Sequence, residues 1–470
     1  MKRIATLMLV VLGCGAPPET YDLVILNARV MDPETGFDQV SNVGVHDGVV
    51  AAITEDEITG TQTIDAAGNV AAPGFIDLHQ HGQSPVNYKA QIHDGVTTAL
   101  ELEIGVEDIS AWYAERDGSA LVNHGASISH PYSRNIAMTG TNPGLTGDAM
   151  AQPLGAGQLE ALEEQVKAGL EAGAVAVGFG IAYTPGATLD EITAIFKLAE
   201  RYNAVCHVHM RTAVDLSNLE EVLTAAKNSG ASLHIVHLNS SSRDEAPKYL
   251  ARIREAQAEG IDVTTECYPY NRGSTRIDSH RYSDWETYSD EELSQFTWVE
   301  TGENLNRETF AKYRAQGGTI ISPPTYSLDT VKLLVADPLT MIASDGMWID
   351  NGRAHPRTWG TFSRVLGRYV REEGALTLMD ALGKMTVRPA QRLEKRIPAM
   401  KKKGRLQEGA DADIVVFDPE SIIDRATYDD PVQYSTGVRY VLVNGALTLD
   451  DGELVVGVAA GEAVRAVALN

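Results

Sequence analysis

The sequence predicts an α/β fold: a (β/α)8 TIM-like barrel joined to a small β-sandwich built from both ends of the chain. Three observations carry this. Strand-like apolar runs alternate with amphipathic helical stretches through the middle of the chain, both ends read as strands and turns alone, and His or Asp residues close several of the central runs. A chain of 470 residues is long enough to bury a core of that size.

Residues 1–20, "MKRIATLMLVVLGCGAPPET", stand apart. Lys2 and Arg3 precede an apolar run from Ile4 to Leu12, which is the charged start and short apolar stretch of a secretory signal, too short for a bilayer span. "VLGC" resembles a bacterial lipobox, which makes Cys14 the expected lipidation site. Gly15 after it favours the outer membrane, by likeness to lipoproteins generally. An exported protein is therefore expected, held at the cell envelope by a lipid that tethers it without inserting it.

Residues 21–72 alternate β-branched residues with turn pairs such as Asp47-Gly48, which is hairpin chemistry. Residues 404–470 repeat the pattern in "ADIVVFDP" and "VRYVLVNGALTL", so the two ends are expected to form one sandwich. Between them, residues 73–403 carry apolar runs near 74–78, 96–103, 121–128, 174–179, 204–209, 232–237, 261–266 and 340–344. Stretches such as "GQLEALEEQVKAGLEAG" and "LDEITAIFKLAERYN" lie between the runs with helical period. That alternation is the signature of a parallel barrel. The connection from about 273 to 338 is long, holds one extra strand-like run, "GGTIIS", and is placed to cover a site as a lid.

Composition narrows the function. A net charge of −25 leaves no basic stripe for phosphates, which argues against a nucleic-acid partner. No second long apolar run suggests a membrane span. With Cys14 lipidated, Cys206 and Cys267 remain, and both fall inside strand-like runs as small buried residues rather than a disulfide pair.

In such barrels the reacting groups sit at the C-terminal strand ends. His79 and His81 close the first run in "GFIDLHQHG" and, two apart on a strand, point the same way. "AVCHVHMR" brings His207 and His209, "LHIVHLNSSS" brings His234 and His237, and "TMIASDGMW" brings Asp345. Imidazoles and a carboxylate gathered at one rim suit a divalent metal, zinc above all.

These stretches, in this order, resemble the urease-related amidohydrolase superfamily, and within it the D-aminoacylase (N-acyl-D-amino-acid deacylase) family. "DAAGNVAAPGFIDLHQHG", "GIAYTPGA", "HVHMR", "ECYPYNRGST", "IASDG" and "AHPRTWGTFSRVLGRYVRE" carry the likeness, which runs from about residue 60 to the C-terminus. The resemblance implies one or two divalent ions, Zn²⁺ foremost, held by His79, His81, His209, His237 and Asp345, with Asp345 also the catalytic proton shuttle. His207 and His234 have no counterpart and are read as core or supporting histidines.

Two departures matter. Where the family usually carries a cysteine at the metal site, this chain has "GVTTALELEIG" with Glu101 and Glu103. Both carboxylates share one face of a strand buried on both sides, and a dry outer layer would cost several kcal/mol each. Glu103, nearer the strand's C-terminal end, is expected to be the metal bridge, and Glu101 is the alternative. No lysine lies on the fourth strand to serve as a carboxylated bridge. Asn239 stands where many relatives have a substrate-binding lysine. Tyr183, Tyr268, Tyr270, Ser274 and Arg357 persist as expected substrate contacts, with Arg357 a bidentate partner for a carboxylate.

The resemblance implies hydrolysis of the amide of an N-acyl-D-amino acid by a metal-activated water, with a small N-acyl amino acid or short peptide as the expected substrate and the membrane met only through the lipid anchor. A dipeptidase, a carboxypeptidase or another cyclic-amide amidohydrolase is the alternative. A ligand-binding lipoprotein without catalysis is a remote one.

Overall fold

Three dipeptides shape the edges of the molecule. Asp47-Gly48, Asn444-Gly445 and Asp451-Gly452 each place both residues at positive φ, the geometry a two-residue hairpin demands. They join Phe37–His46 to Val49–Thr54, Val438–Val443 to Ala446–Asp450, and Ala446–Asp450 to Glu453–Leu454, all antiparallel. In this computed structural model, residues 20–213, 215–349 and 351–467 are described. The expected signal segment with Cys14 lies outside them.

The two chain ends meet through Val70–Pro73. This strand pairs parallel with Tyr21–Asp32 and antiparallel with Ile414–Phe417, which completes one nine-stranded sheet. Leu23, Ile25, Val43, Ile414, Val416 and Leu442 pack into an apolar core of its own.

The barrel strands follow in sequence order: Phe75–Asp77, Val96–Val106, Asn123–Ser129, Val177–Gly180, Cys206–His209, Leu233–Ile235, Val263–Cys267 and Thr340–Ile342. Every hydrogen-bonded neighbour is parallel, and a bridge between Gln80 and Gly346 draws the last strand end to the first. Helices cover the outside. Gln158–Glu171 buries Leu162, Val166 and Leu170, and Leu189–Arg201, capped by the Thr188 hydroxyl on Glu191 N, buries Ile192, Ile195, Phe196 and Ala199. These faces repeat at three and four residues, as an amphipathic helix requires. Among the described residues no helix is long and apolar enough to cross a membrane. Cys206 and Cys267 are free and buried in the fifth and seventh strands.

Between the seventh and eighth strands the chain builds a three-stranded antiparallel sheet from Ser274–Arg276, Thr319–Ile321 and Thr297–Trp298. Ile277, Phe296, Trp298, Phe310 and Ile320 give this insertion a separate apolar core. It stands over the C-terminal rim and contributes Arg276, Arg281, Tyr282 and Ser322 to the pocket there.

Candidate metal centre

The rim is set by backbone as much as by side chains. Gln80 N donates to Leu100 O and His81 N to Gly346 O, so the end of the first strand is clamped between the second and eighth. The buried Asp77 carboxylate accepts from His79 N and Ser344 N at 3.1 and 3.0 Å, tying the same two strand ends together. His237 and Asp345 both sit at positive φ, 34° and 50°. Such backbone is costly for a residue with a side chain and gathers at functional sites.

Glu103 lies at the middle of the constellation. Its Oε2 is 3.2 Å from His79 Nε2 and 3.0 Å from His81 Nε2. Its Oε1 contacts His209 Nδ1 and lies 3.1 Å from His237 Nε2. The imidazole nitrogens also face one another, at 3.3 Å for His79 with His81 and 3.0 Å for His209 with His237. Asp345 Oδ1 joins the first pair at 3.5 and 3.6 Å. One carboxylate thus serves two histidine pairs, one with each oxygen. The crowding extends to the backbone: a Cβ at Gly178 would come within 2.5 Å of Glu103 O, so the fourth strand needs a glycine there.

Glu101 lies elsewhere. Its Oε2 is 2.8 Å from His81 Nδ1, and its Oε1 accepts from Gly105 N at 3.2 Å. It backs His81 from behind, away from the gap between the two pairs. Strand alternation puts both glutamates on the inner face, and their different heights give them different work.

Glu266 does for His79 what Glu101 does for His81. Its Oε1 is 2.6 Å from His79 Nδ1 and its Oε2 is 3.1 Å from His234 Nε2. His234 Nδ1 reaches Thr264 Oγ1 at 2.7 Å, so His234 is a supporting residue. The buried His207 packs against His234 at a tilt, with ring centroids 4.7 Å apart, a core position. A ring nitrogen held from behind by a carboxylate fixes the tautomer and aims the other nitrogen forward.

Electrostatics match this layout. Burial pulls the His79 pKa down, but Asp345, Glu103 and Glu266 outweigh it and lift it to about 10. Burial works to raise the Glu103 carboxyl, yet His209 and His79 hold it well below the usual range. Asp345 likewise resists its burial because Arg357 and His79 stabilise the anion. Burial and the neighbouring His237 push His209 down to about 4. The carboxylates that hold a proton on His79 are the groups whose negative charge a divalent cation would take over, releasing that proton on binding.

Fit to a metal can be read from the donor spacing. Two ligand atoms about 2.0–2.1 Å from a tetrahedral zinc stand roughly 3.3 Å apart. His79 Nε2 and His81 Nε2 stand 3.3 Å apart, and each lies 3.0 to 3.6 Å from Glu103 Oε2 and from Asp345 Oδ1. His79, His81 and Glu103 could hold one ion, and Glu103, His209 and His237 another.

The expected substrate contacts divide. Tyr183, Tyr268 and Ser274 line the pocket beside the metal centre. The Tyr183 hydroxyl meets Thr275 Oγ1 at 3.0 Å, Tyr268 OH accepts from Tyr326 at 2.8 Å, and Ser274 Oγ donates to Ile320 O at 2.9 Å. Tyr270 corrects the expectation: its hydroxyl donates to Asp424 at 3.3 Å and its ring carries the Arg364 guanidinium, away from the pocket. Tyr270 N bonds back to Tyr268 O, so the chain turns at Pro269 and the two rings lose the shared face of a strand. Arg357 is not in the pocket lining. It lies behind Asp345, Nη2 to Oδ1 at 2.7 Å, stacked 4.5 Å from the Tyr268 ring, with Nε and Nη1 buried and unpartnered. Asn239 is structural, its amide donating to Tyr268 O and to the Tyr326 hydroxyl.

Sequence reasoning missed three residues. Glu266 sits in "ECYPY", and a lone carboxylate in a strand buried on both faces was the available signal. Arg281 enters the pocket from the insertion, with Nη1 3.4 Å from His209 Nε2. Trp348 reaches it from the loop after Asp345 and stacks on His81, centroids 5.7 Å apart. No periodic pattern marks either of these two.

Comparison with known proteins agrees with the geometry. A model of the amidohydrolase family matches residues 62–449. An N-acyl-D-glutamate deacylase from Alcaligenes xylosoxydans xylosoxydans is 31% identical, covering 91% of this chain and 93% of its own. The crystal structure of N-acyl-D-glutamate deacylase from Bordetella bronchiseptica, complexed with zinc and a phosphonate mimic of the tetrahedral intermediate, superposes with a TM-score of 0.81 at 28% identity, covering 95% of this chain and 100% of that one. A D-aminoacylase with a binuclear metal centre, described as activated by one metal and attenuated by the second, gives 0.80 at 25% identity over 95% and 100%. Since the family model spans most of the sequence and the same relatives return from both sequence and fold, the chain belongs to the amidohydrolase family, among its D-aminoacylase members.

Proposed function

We propose that the protein is a zinc-dependent hydrolase that cleaves the amide of N-acyl-D-amino acids, releasing a carboxylic acid and a free D-amino acid. The observation that carries this reading is Glu103, whose two oxygens each serve a separate histidine pair. His79, His81 and Asp345 would share one ion with Glu103, and His209 and His237 the other. When bound, zinc lowers the pKa of a water to about 7 and polarises a carbonyl oxygen.

The chain's own groups supply the rest. Asp345, kept ionised by Arg357, accepts the proton of the attacking water and returns it to the departing amide nitrogen. Glu266 and Glu101 hold the His79 and His81 rings in one tautomer. Arg281 offers a guanidinium to a substrate carboxylate inside the pocket, while Arg357, buried behind Asp345, acts through that carboxylate rather than on the substrate.

The D configuration is taken from the deacylase that matches along 91% of the chain. Its substrate, with Arg276 and Arg281 both lining the pocket, favours an acidic D-residue such as D-glutamate as the amino-acid half. A dipeptidase or cyclic-amide hydrolase is less well supported, since that relative acts on N-acyl-D-glutamate. A silent binding lipoprotein would have no need to keep the whole donor set. Export and lipid attachment at Cys14 remain part of the proposal, resting on the signal-like start and "VLGC".

Steady-state kinetics of the zinc-loaded protein on N-acetyl-D-glutamate, N-acetyl-D-leucine and their L enantiomers test the reading. D-selective turnover, highest with glutamate, is expected, and turnover of none of them overturns it.

A further inference from the structure

The two histidine pairs are flanked by different chemistry. His81, on the Oε2 side of Glu103, is stacked by Trp348 with ring centroids 5.7 Å apart and an interplanar angle of 25°. His209, on the Oε1 side, is approached by Arg281. An amide lying across the centre therefore has one end toward an indole and the other toward a guanidinium. The amino-acid half carries the carboxylate and belongs at Arg281, because setting a carboxylate against an aromatic wall forfeits its solvation with no partner in return. The acyl half is left with Trp348.

More than one residue makes that half apolar. Trp348 is 40% exposed although it lines the pocket, an apolar surface left open at the mouth of the site. Met347, next to it in the chain, also lines the pocket, whereas Ile104 and Leu145 cluster with Tyr183, whose ring lies 4.9 Å from that of His209 on the other side. A substrate limited to a formyl or acetyl group would leave the indole in water.

Resting on the deacylase reading above, we propose that Trp348, with Met347, forms a subsite for the aliphatic chain of the acyl group, and that the enzyme prefers acyl groups longer than acetyl. Burying each added methylene against this wall contributes about two- to fourfold in kcat/KM.

The test is a series of N-acyl-D-glutamates from acetyl to hexanoyl, with the native enzyme, Trp348→Ala and Trp348→Phe, each checked for zinc content. A rise of about two- to fourfold per methylene in the native enzyme is expected, flattened in Trp348→Ala and largely kept in Trp348→Phe. A native series flat within twofold overturns the proposal, as does an undiminished rise in Trp348→Ala. Turnover of no N-acyl-D-amino acid would sink the deacylase reading separately. The subsite would then be judged by calorimetric binding of the same series, where equal affinity at all lengths overturns it.

Discussion

Replacing Glu266 with glutamine removes one charge and almost nothing else. The carboxylate lies 2.6 Å from His79 Nδ1 and 3.1 Å from His234 Nε2, in a place with no solvent access to either ring. A hydrogen bond to a charged group in such a setting contributes about 1.5–3 kcal/mol. The glutamine carbonyl still accepts from the His79 N–H, whereas its amide donates to His234 Nε2 only once that ring moves its proton to Nδ1, facing Thr264, so the charge-assisted part and the native His234 tautomer are lost. At 1.4 kcal/mol per factor of ten, metal affinity should fall about tenfold, within the range of about 10–100-fold for carboxylates behind metal-binding histidines. Glu266→Ala should differ in kind. It leaves His79 Nδ1 and one His234 nitrogen buried without partners, at about 1–3 kcal/mol each, so its Tm should drop as well. Chelator competition measures affinity, and thermal unfolding separates positioning from folding. A Glu266→Gln protein with native Tm and a zinc Kd within twofold of native would refute the reasoning.

Three further outcomes follow from the same geometry. Asp345→Asn should keep its zinc while kcat falls by about 10²–10⁴-fold, the usual contribution of a positioned acid–base, checked by metal analysis beside single-turnover kinetics. Arg281→Ala should raise KM for N-acetyl-D-glutamate far more than it lowers kcat, with Arg281→Lys partly restoring it, because the guanidinium faces the pocket and takes no part in proton transfer. Cys14→Ser should abolish incorporation of labelled palmitate in a bacterial host and release the protein from the membrane fraction. Labelling that persists in the variant would remove Cys14 from the account.

Much of the site was legible because chemistry at strand ends leaves a plain mark. Pairs such as His79 and His81 recur at the ends of predicted barrel strands, and a parallel barrel brings all its strand ends to one rim. Glu101 and Glu103 were legible as an inward pair from alternation alone. Their division of labour was not, since it depends on height along the barrel axis, which a period of two does not encode. Tyr270 misled for the opposite reason: it follows Tyr268 at strand spacing after the strand has ended, and the turn at Pro269 sends its ring away from the pocket that Tyr268 lines. Arg281 and Trp348 come from irregular chain, where no period ties a residue to the pocket. Arg357 read from sequence as a partner for a substrate carboxylate, and only the fold shows that the carboxylate it holds is Asp345, 2.7 Å away.

Glu103 is the one residue shared by the two buried groups that could each hold an ion, among the described residues. Zinc per chain, counted by elemental analysis after dialysis for the native protein and for Glu103→Gln of matched circular dichroism, tests this most directly. The native protein should take up two equivalents, and Glu103→Gln should fall to less than one because both histidine pairs lose their shared anion. Two equivalents retained by Glu103→Gln, or no zinc bound by the native protein, would contradict it.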